Sequence, residues 1–218
     1  KGNKISEVDA LGNETKCTYD AYGNMLTRTD ALGNTISYTY DSKGRVLSYT
    51  DAEGNISIYT YDSKGNRISE SKNGKETVYK YDSRGNLISE TDPEGNTKSY
   101  KYDSMGNKIS ETDANGNEVL YKYNSNGCMT SKTEIDKVTG KEIKTEYIYD
   151  SMNRLIGMID GNGKSIRIEY NAAGQQSALI DKTGNRTEYE YDAFGNLILV
   201  RYADGTTEKS TYDAEGRE

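Results

Sequence analysis

The sequence predicts an all-β chain, a continuous antiparallel meander of about 20 short strands. Three observations predict it. A motif of Tyr, then Asp or Asn, two further residues and Gly recurs along the 218 residues. A second Asp-x-x-Gly motif stands between successive copies of the first. Runs of about six residues rich in Thr, Tyr, Ile, Val and Ser separate the two kinds of motif, and such runs are strand-forming.

The first motif starts at Tyr19, Tyr40, Tyr61, Tyr81, Tyr102, Tyr123, Tyr149, Tyr170, Tyr191 and Tyr212. The intervals are 21 residues except for one of 20 and one of 26. The matching glycines are Gly23, Gly44, Gly65, Gly85, Gly106, Gly127, Gly174, Gly195 and Gly216, and Asn153 takes the place of one. Asn is the residue after Gly that best tolerates the left-handed conformation, so the exception keeps the turn. The second motif is seen at Asp30-Ala31-Leu32-Gly33-Asn34 and Asp92-Pro93-Glu94-Gly95-Asn96. In both, Asp hydrogen-bonds the backbone ahead of it and Gly takes a positive φ. Pro93, the one proline, stands where its fixed φ suits a turn.

The strands carry their own pattern. A Tyr-x-Tyr pair, such as Tyr38 and Tyr40 or Tyr189 and Tyr191, puts both rings on one face of its strand. A Leu or Ile usually follows the Gly by three residues: Leu26, Leu47, Ile68, Ile88, Ile109, Ile156 and Ile198. A repeat of 21 residues is odd, whereas strand faces alternate with residue number. If every tyrosine faces the same way, one turn of each repeat reverses parity and the other keeps it. We assign the reversal to the Tyr-Asp turn, as a four-residue loop, which collects tyrosines and Leu/Ile on one face. A β-bulge would reverse parity as well. The 20-residue repeat leaves Asn73-Gly74, a preferred two-residue hairpin turn. The 26-residue repeat adds two residues to each strand and one to the loop near Asp136 to Gly140, a longer protruding hairpin over 130–147.

Twenty strands at about 4.8 Å spacing make a strip roughly 95 Å long, which is expected to coil. Its Tyr/Leu face is expected inward, with Lys, Glu, Thr and Ser outward.

Composition narrows the function. Hydrophobic residues make up 33% and charged residues 29%, too little apolar surface for a thick core. The net charge of −7 disfavours a nucleic-acid partner. No apolar run approaches the roughly 20 residues of a membrane-spanning helix, and membrane insertion is not expected. The chain opens within a motif (Lys1-Gly2-Asn3) and closes within one (Gly216-Arg217-Glu218), so 1–218 reads as a single array cut from a longer one. Cys17 and Cys128 replace other residues of the repeat and do not read as a disulfide pair.

There is no histidine, which excludes His-based triads and His metal sites. The recurring aspartates, such as Asp20 and Asp30, read as turn formers rather than as catalytic pairs. The turns lack calcium-loop spacing. No catalytic residue, metal ligand or cofactor is expected, and the chain reads as non-enzymatic. The twenty turn residues named above are its structural repeat positions. The tyrosines leave a second reading open, a cell-surface adhesion or carbohydrate-binding module, since aromatic faces with polar tips suit sugars.

The unit Y-x-Y-D-x-x-G-N, then Leu or Ile, then T-D-x-x-G-N, as in Tyr38 to Asn55 with Arg45 for the first Asn, resembles the YD repeat. That repeat belongs to Rhs proteins, toxin-complex shell subunits, wall-associated proteins of Gram-positive bacteria and teneurins. The resemblance covers essentially the whole chain. It implies a spiralling β-strip that forms a hollow shell, and a secreted or cell-surface bacterial protein. The implied partners are the remaining repeats and a C-terminal toxin domain of the same polypeptide, which the shell encapsulates or presents, with a cell-surface glycan or protein as a further partner. No protease aspartate segment or toxin domain matches any part of this sequence.

Overall fold

The computed structural model describes residues 2–213, 216 and 217. Lys1 and Glu218, the ends of the array expected above, lie outside the described residues. The fold is all-β, with twenty strands and no helix among the described residues. It divides into two compact units, Lys1–Tyr100 and Lys101–Glu218.

The first unit contains β1 (Ser6–Val8), β2 (Glu14–Tyr19), β3 (Met25–Thr29), β4 (Thr35–Tyr40), β5 (Val46–Thr50), β6 (Ile56–Tyr61), β7 (Arg67–Lys72), β8 (Lys75–Tyr81) and β9 (Leu87–Thr91). β10 (Thr97–Tyr102) pairs with β9. The second unit contains β11 (Lys108–Thr112), β12 (Glu118–Tyr123), β13 (Met129–Ile135), β14 (Glu142–Tyr149) and β15 (Leu155–Ile159). It continues with β16 (Ser165–Tyr170), β17 (Gln176–Ile180), β18 (Arg186–Tyr191), β19 (Leu197–Arg201) and β20 (Thr207–Lys209). Within each unit every strand pairs antiparallel with its neighbour in sequence, the meander that the turn spacing predicts.

The two kinds of turn are the same loop, which corrects the expectation that they differ in length. In the turn after β3, Asp30 N donates to Asn34 O and Gly33 N donates to Asp30 O, both at 3.0 Å. The Asp30 carboxylate accepts from the amides of Leu32 and Asn34 and from the Asn34 side chain. After β4, Asp41 N donates to Arg45 O at 2.9 Å and Gly44 N to Asp41 O at 3.0 Å, again with the carboxylate accepting the amides two and four residues on. The parity reversal does fall in the Tyr-Asp hairpin, but a β-bulge makes it. Tyr40 opposes Val46, whereas Thr39 opposes Ser48, so Leu47 is the extra residue. The same shift leaves Leu26, Ile68, Ile88, Thr130, Ile156, Ser177 and Ile198 as extra residues. The intervening hairpin is in plain register, with Ser48 opposite Ile58 and Thr50 opposite Ile56.

The bulge also decides where the Leu/Ile side chains go. The hollow on the tyrosine face of β4 to β7 is lined by Tyr38, Val46, Tyr49, Tyr59, Tyr61 and Arg67 and not by Leu47 or Ile68, so these bulge residues do not join the tyrosines. The residue just before each bulge does: Arg67 stacks on the rings of Tyr59 and Tyr79 at 5.6 and 5.4 Å.

Almost nothing is fully buried. Among the described residues Ala178 is the one buried hydrophobic side chain, and Ser69, Ser110 and Ser131 are the buried polar ones. Ser69, Ser131 and Ala178 each follow a bulge residue directly. Ladder hydrogen bonds, turn carboxylates and cross-strand pairs therefore carry this fold.

The irregular repeats keep the facing. Lys72 opposes Lys75 around Asn73 and Gly74, whose φ values of 49° and 81° make the two-residue turn. β13 and β14 have 7 and 8 residues, against the 5 and 6 of β15 and β16. This longer hairpin is held on both flanks. Lys137 N donates to Asn117 Oδ1 at 3.0 Å. Ile143 lies over Gly161, where an added Cβ would come within 2.6 Å of Ile143 Cγ2.

Candidate functional site: the tyrosine straps and the two faces

Within each unit the motif tyrosines stand in the last residues before their turns, along one edge of that unit's meander. Their hydroxyls act between repeats. Tyr40 Oη donates to Met25 O at 2.7 Å and Tyr61 Oη to Val46 O at 2.9 Å. Tyr19, Tyr81, Tyr123, Tyr149, Tyr170 and Tyr212 donate in the same way to Lys4, Arg67, Lys108, Met129, Leu155 and Leu197. Met25, Val46, Arg67, Met129, Leu155 and Leu197 each stand just before a bulge. The ladder between β3 and β4 runs from Thr29 to Thr27 and stops there. The tyrosine hydroxyl thus bonds a backbone acceptor where the regular ladder has ended. Burial pushes the phenols of Tyr40, Tyr81, Tyr123 and Tyr149 upward, so they remain donors.

The turns are also tied edgewise. Asn3 Nδ2 reaches Gly23 O, Arg45 Nη1 reaches Asp62 O and Gln175 Nε2 reaches Gly195 O. Where Arg45 and Arg154 replace the usual Asn, each guanidinium bonds the aspartate of its own turn and stacks on the next repeat's tyrosine, at 4.6 and 4.5 Å. The repeat glycines have positive φ, for example 78° at Gly44, and Asn153 matches them at 62°. Gly23, Gly65, Gly85, Gly106, Gly127, Gly174, Gly195 and Gly216 do likewise, as do the glycines of the intervening turns.

Sequence reasoning missed two of these roles. The residue before the bulge supplies the carbonyl for the strap, and no side-chain pattern marks it. Where an Asn follows the Gly, it closes the carboxylate cage of the turn, and its recurrence in Gly-Asn was the available signal.

Pairing and alternation assign the side chains to faces. Tyr38 opposes Tyr49, Tyr59 opposes Glu70, Tyr147 opposes Met158 and Tyr189 opposes Val200. In β5 to β9 the tyrosine face also carries Arg67, Glu70, Lys72, Lys75 and Glu90, with Arg67 and Lys72 both on Glu70 at 3.1 and 3.0 Å. The expectation of a charge-free tyrosine face fails in this region. In β14 to β19 the strand positions of the tyrosine face, among them Tyr147, Leu155, Met158, Ile166, Ile168, Leu179, Leu197 and Val200, carry no charged residue, and the guanidinium over the Tyr170 ring comes from the turn residue Arg154. There the opposite face holds the ion pairs: Arg186 with Glu169 and Glu188 at 2.8 and 3.0 Å, and Arg201 with Glu188 and Glu190 at 3.5 Å.

Among the described residues no group of His, Cys, Asp and Glu could hold a metal ion, and Cys17 and Cys128 are free thiols. The turn aspartates have carboxyls held below their ordinary range, chiefly by the hydrogen bond from the following Asn, as at Asp20, Asp51 and Asp103. A carboxylate so engaged is a structural acceptor.

This architecture is a known one. A sequence model of the teneurin YD-shell family matches residues 12–201. The chain belongs to the teneurin YD-shell family. Two solved structures share the YD-shell fold. "TcdB2-TccC3 without hypervariable C-terminal region" is 16% identical over 97% of this chain and 13% of its own, with a TM-score of 0.73. "TcdB2-TccC3-Cdc42" is 16% identical over 97% of this chain and 14% of its own, with a TM-score of 0.63. This YD-shell chain therefore spans about one seventh of the length of those relatives. No curated protein matches it.

Proposed function

We propose that this chain is wall material of a hollow β-shell in a secreted or surface-delivered protein. The shell encloses or presents a C-terminal toxin or effector domain of the same polypeptide. One observation carries the reading: nearly the whole chain matches the YD-shell family, and its fold aligns with one stretch of a much longer toxin-complex chain. The geometry suits a wall. Like turns, bulges and straps recur along the chain, and among the described residues strand contacts run between neighbouring strands, as in other repeat arrays. The role proposed for the wall is enclosure.

Limited proteolysis of the full-length protein tests this. The region C-terminal to the array is expected to resist protease in the intact protein and to be degraded once denaturant opens the shell. Equal sensitivity before and after opening would overturn the reading.

A further inference from the structure

The sequence holds four Asn-Gly pairs: Asn73-Gly74, Asn115-Gly116, Asn126-Gly127 and Asn162-Gly163. An asparagine before glycine is open to attack by the glycine's own backbone nitrogen, because no side chain shields that nitrogen. The fold treats the four pairs unequally. Gly116 N, Gly127 N and Gly163 N donate to Asp113 O, Asn124 O and Asp160 O, the carbonyls that open their turns, at 3.0, 3.0 and 2.8 Å. Each of these bonds engages the nitrogen that would attack. Gly74 N makes no hydrogen bond among the described residues. The shortened repeat replaces the usual Asp turn here with a two-residue one, and both Asn73 and Gly74 are left-handed and exposed.

The Asn73 carboxamide is also set up as the electrophile. Its Oδ1 accepts from Ile56 N at 2.9 Å. Negative charge builds on that oxygen as a nitrogen adds to Cγ, and a backbone amide already bonded to it stabilises the charge. We propose that Asn73 is a deamidation site, the first of the four Asn-Gly pairs to convert in the folded chain. Gly74 N bonds to Asn73 Cγ, the Cγ–Nδ2 bond breaks, and Nδ2 leaves as ammonia with the proton of the Gly74 amide, which gives a succinimide. Water then opens the ring to aspartate or isoaspartate, with no oxidant or reductant. The product loses a contact. Asn73 Nδ2 donates to Asn55 Oδ1 at 2.9 Å, and Asn55 Nδ2 is committed to Asp51 Oδ2 at 2.8 Å. Both asparagines are exposed, so water replaces this bond at little cost when the ammonia leaves. A carboxylate at 73 then sets acceptor against acceptor, and the tie between this hairpin and the Asp51 turn is gone.

The test is incubation of the chain in mildly alkaline buffer, native and in denaturant, with peptide mapping by mass spectrometry at all four pairs. Each native rate is read against the same pair's rate in denaturant. On that scale Asn73 is expected to lead the other three by about tenfold, the scale of the turn hydrogen bond that their glycines must first give up. Isoaspartate is expected at 73 beside aspartate, detected with an isoaspartyl methyltransferase. Asn73→Asp, which installs one product, is expected to melt below the parent. Native conversion at Asn73 no faster than at the other three pairs would overturn the proposal, as would an Asn73 that stays intact in the native chain while it converts in denaturant. Melting of Asn73→Asp unchanged from the parent would overturn the loss of the tie.

Discussion

Strands β5 to β9 and strands β14 to β19 repeat one backbone and charge opposite faces of it. In the first region ion pairs stand among the tyrosines, as Arg67–Glu70–Lys72 does, and the other face is mostly Ser, Thr and aliphatic, with Glu76 and Lys80 its charges. Ile56 and Ile58 on that face are 47% and 49% exposed, so it is an open apolar surface and not a core. In the second region the strand positions of the tyrosine face are uncharged, and Arg167, Glu169, Arg186, Glu188, Glu190 and Arg201 form a network on the other. The exchange takes place along the long hairpin. Lys132 pairs with Glu134 on the tyrosine face of β13, and Lys144 pairs with Glu146 on the opposite face of β14. What the two regions share is the turn cage, the bulge and the tyrosine strap. Facing is therefore set by the backbone devices, and the polarity of each face is free to vary.

The comparison breaks most violently if a shared device is removed. Deleting Leu47 or Ile156 takes out the extra residue of a bulge and turns every following side chain to the other face. Loss of the cooperative thermal transition of the affected unit is expected in both cases, measured by circular dichroism. A deletion tolerated in one region only would show that the devices are not equivalent.

The next effect belongs to the second region alone. Gly161→Val drives a side chain into Ile143, which lies 2.6 Å from the Cβ position. Overpacking of this kind costs about 2–3 kcal/mol in denaturant unfolding. Ile143→Ala in the same chain is expected to restore most of it.

Polarity can be tested by adding one charge to the less charged face of each region. Ile168→Lys places a cation among the apolar residues of the second region and is expected to cost about 1–2 kcal/mol. Ile58→Lys, at an open position, is expected to cost under about 0.5 kcal/mol. A reversed order would mean that the open aliphatic face of the first region is the better covered one.

The straps should be worth the same in both regions. Tyr61→Phe and Tyr149→Phe remove the hydroxyls bonded to Val46 O and Met129 O and keep the rings. Each is expected to cost about 1 kcal/mol.

Much of this was legible beforehand because the information is local. Gly and Asp dictate the turns, Thr and Tyr the strands, and the odd repeat length demands one parity reversal, which the Tyr-Asp hairpin does contain. What stayed illegible is the means. Asp30-Ala31-Leu32-Gly33-Asn34 and Asp41-Ser42-Lys43-Gly44-Arg45 fold into one loop, so the loops hold no trace of the difference. The bulge lies beyond them at Leu47, where a hydrophobic residue suggested a partner for tyrosine. Its preference is cross-strand: it shares the face of Thr39 and Ser48, and alternation alone misplaces it. The straps were hidden for a related reason, since their acceptors are backbone carbonyls with no sequence signature.

The smallest expected effect per residue is from acid. Turn carboxyls are held below their ordinary values by the hydrogen bonds they accept, with Asp181 at about 2. A carboxyl whose folded pKa is depressed contributes fully above its unfolded pKa, about 3.9, and that contribution is lost as pH falls through the folded value. Thermal stability should thus be flat above about pH 5 with respect to these groups and fall from about pH 4 towards pH 2, in both units together.

Backbone register in solution tests the central claim most directly. NMR cross-strand contacts between backbone protons distinguish a bulged Tyr-Asp hairpin from a plain one. The bulge places Tyr38 opposite Tyr49 in the first unit and Ile168 opposite Leu179 in the second. Those contacts are the expected result. Contacts of Tyr38 with Ser48 and of Ile168 with Ala178 would mean a plain register, and would contradict the claim that a bulge in the Tyr-Asp hairpin sets the facing within each unit.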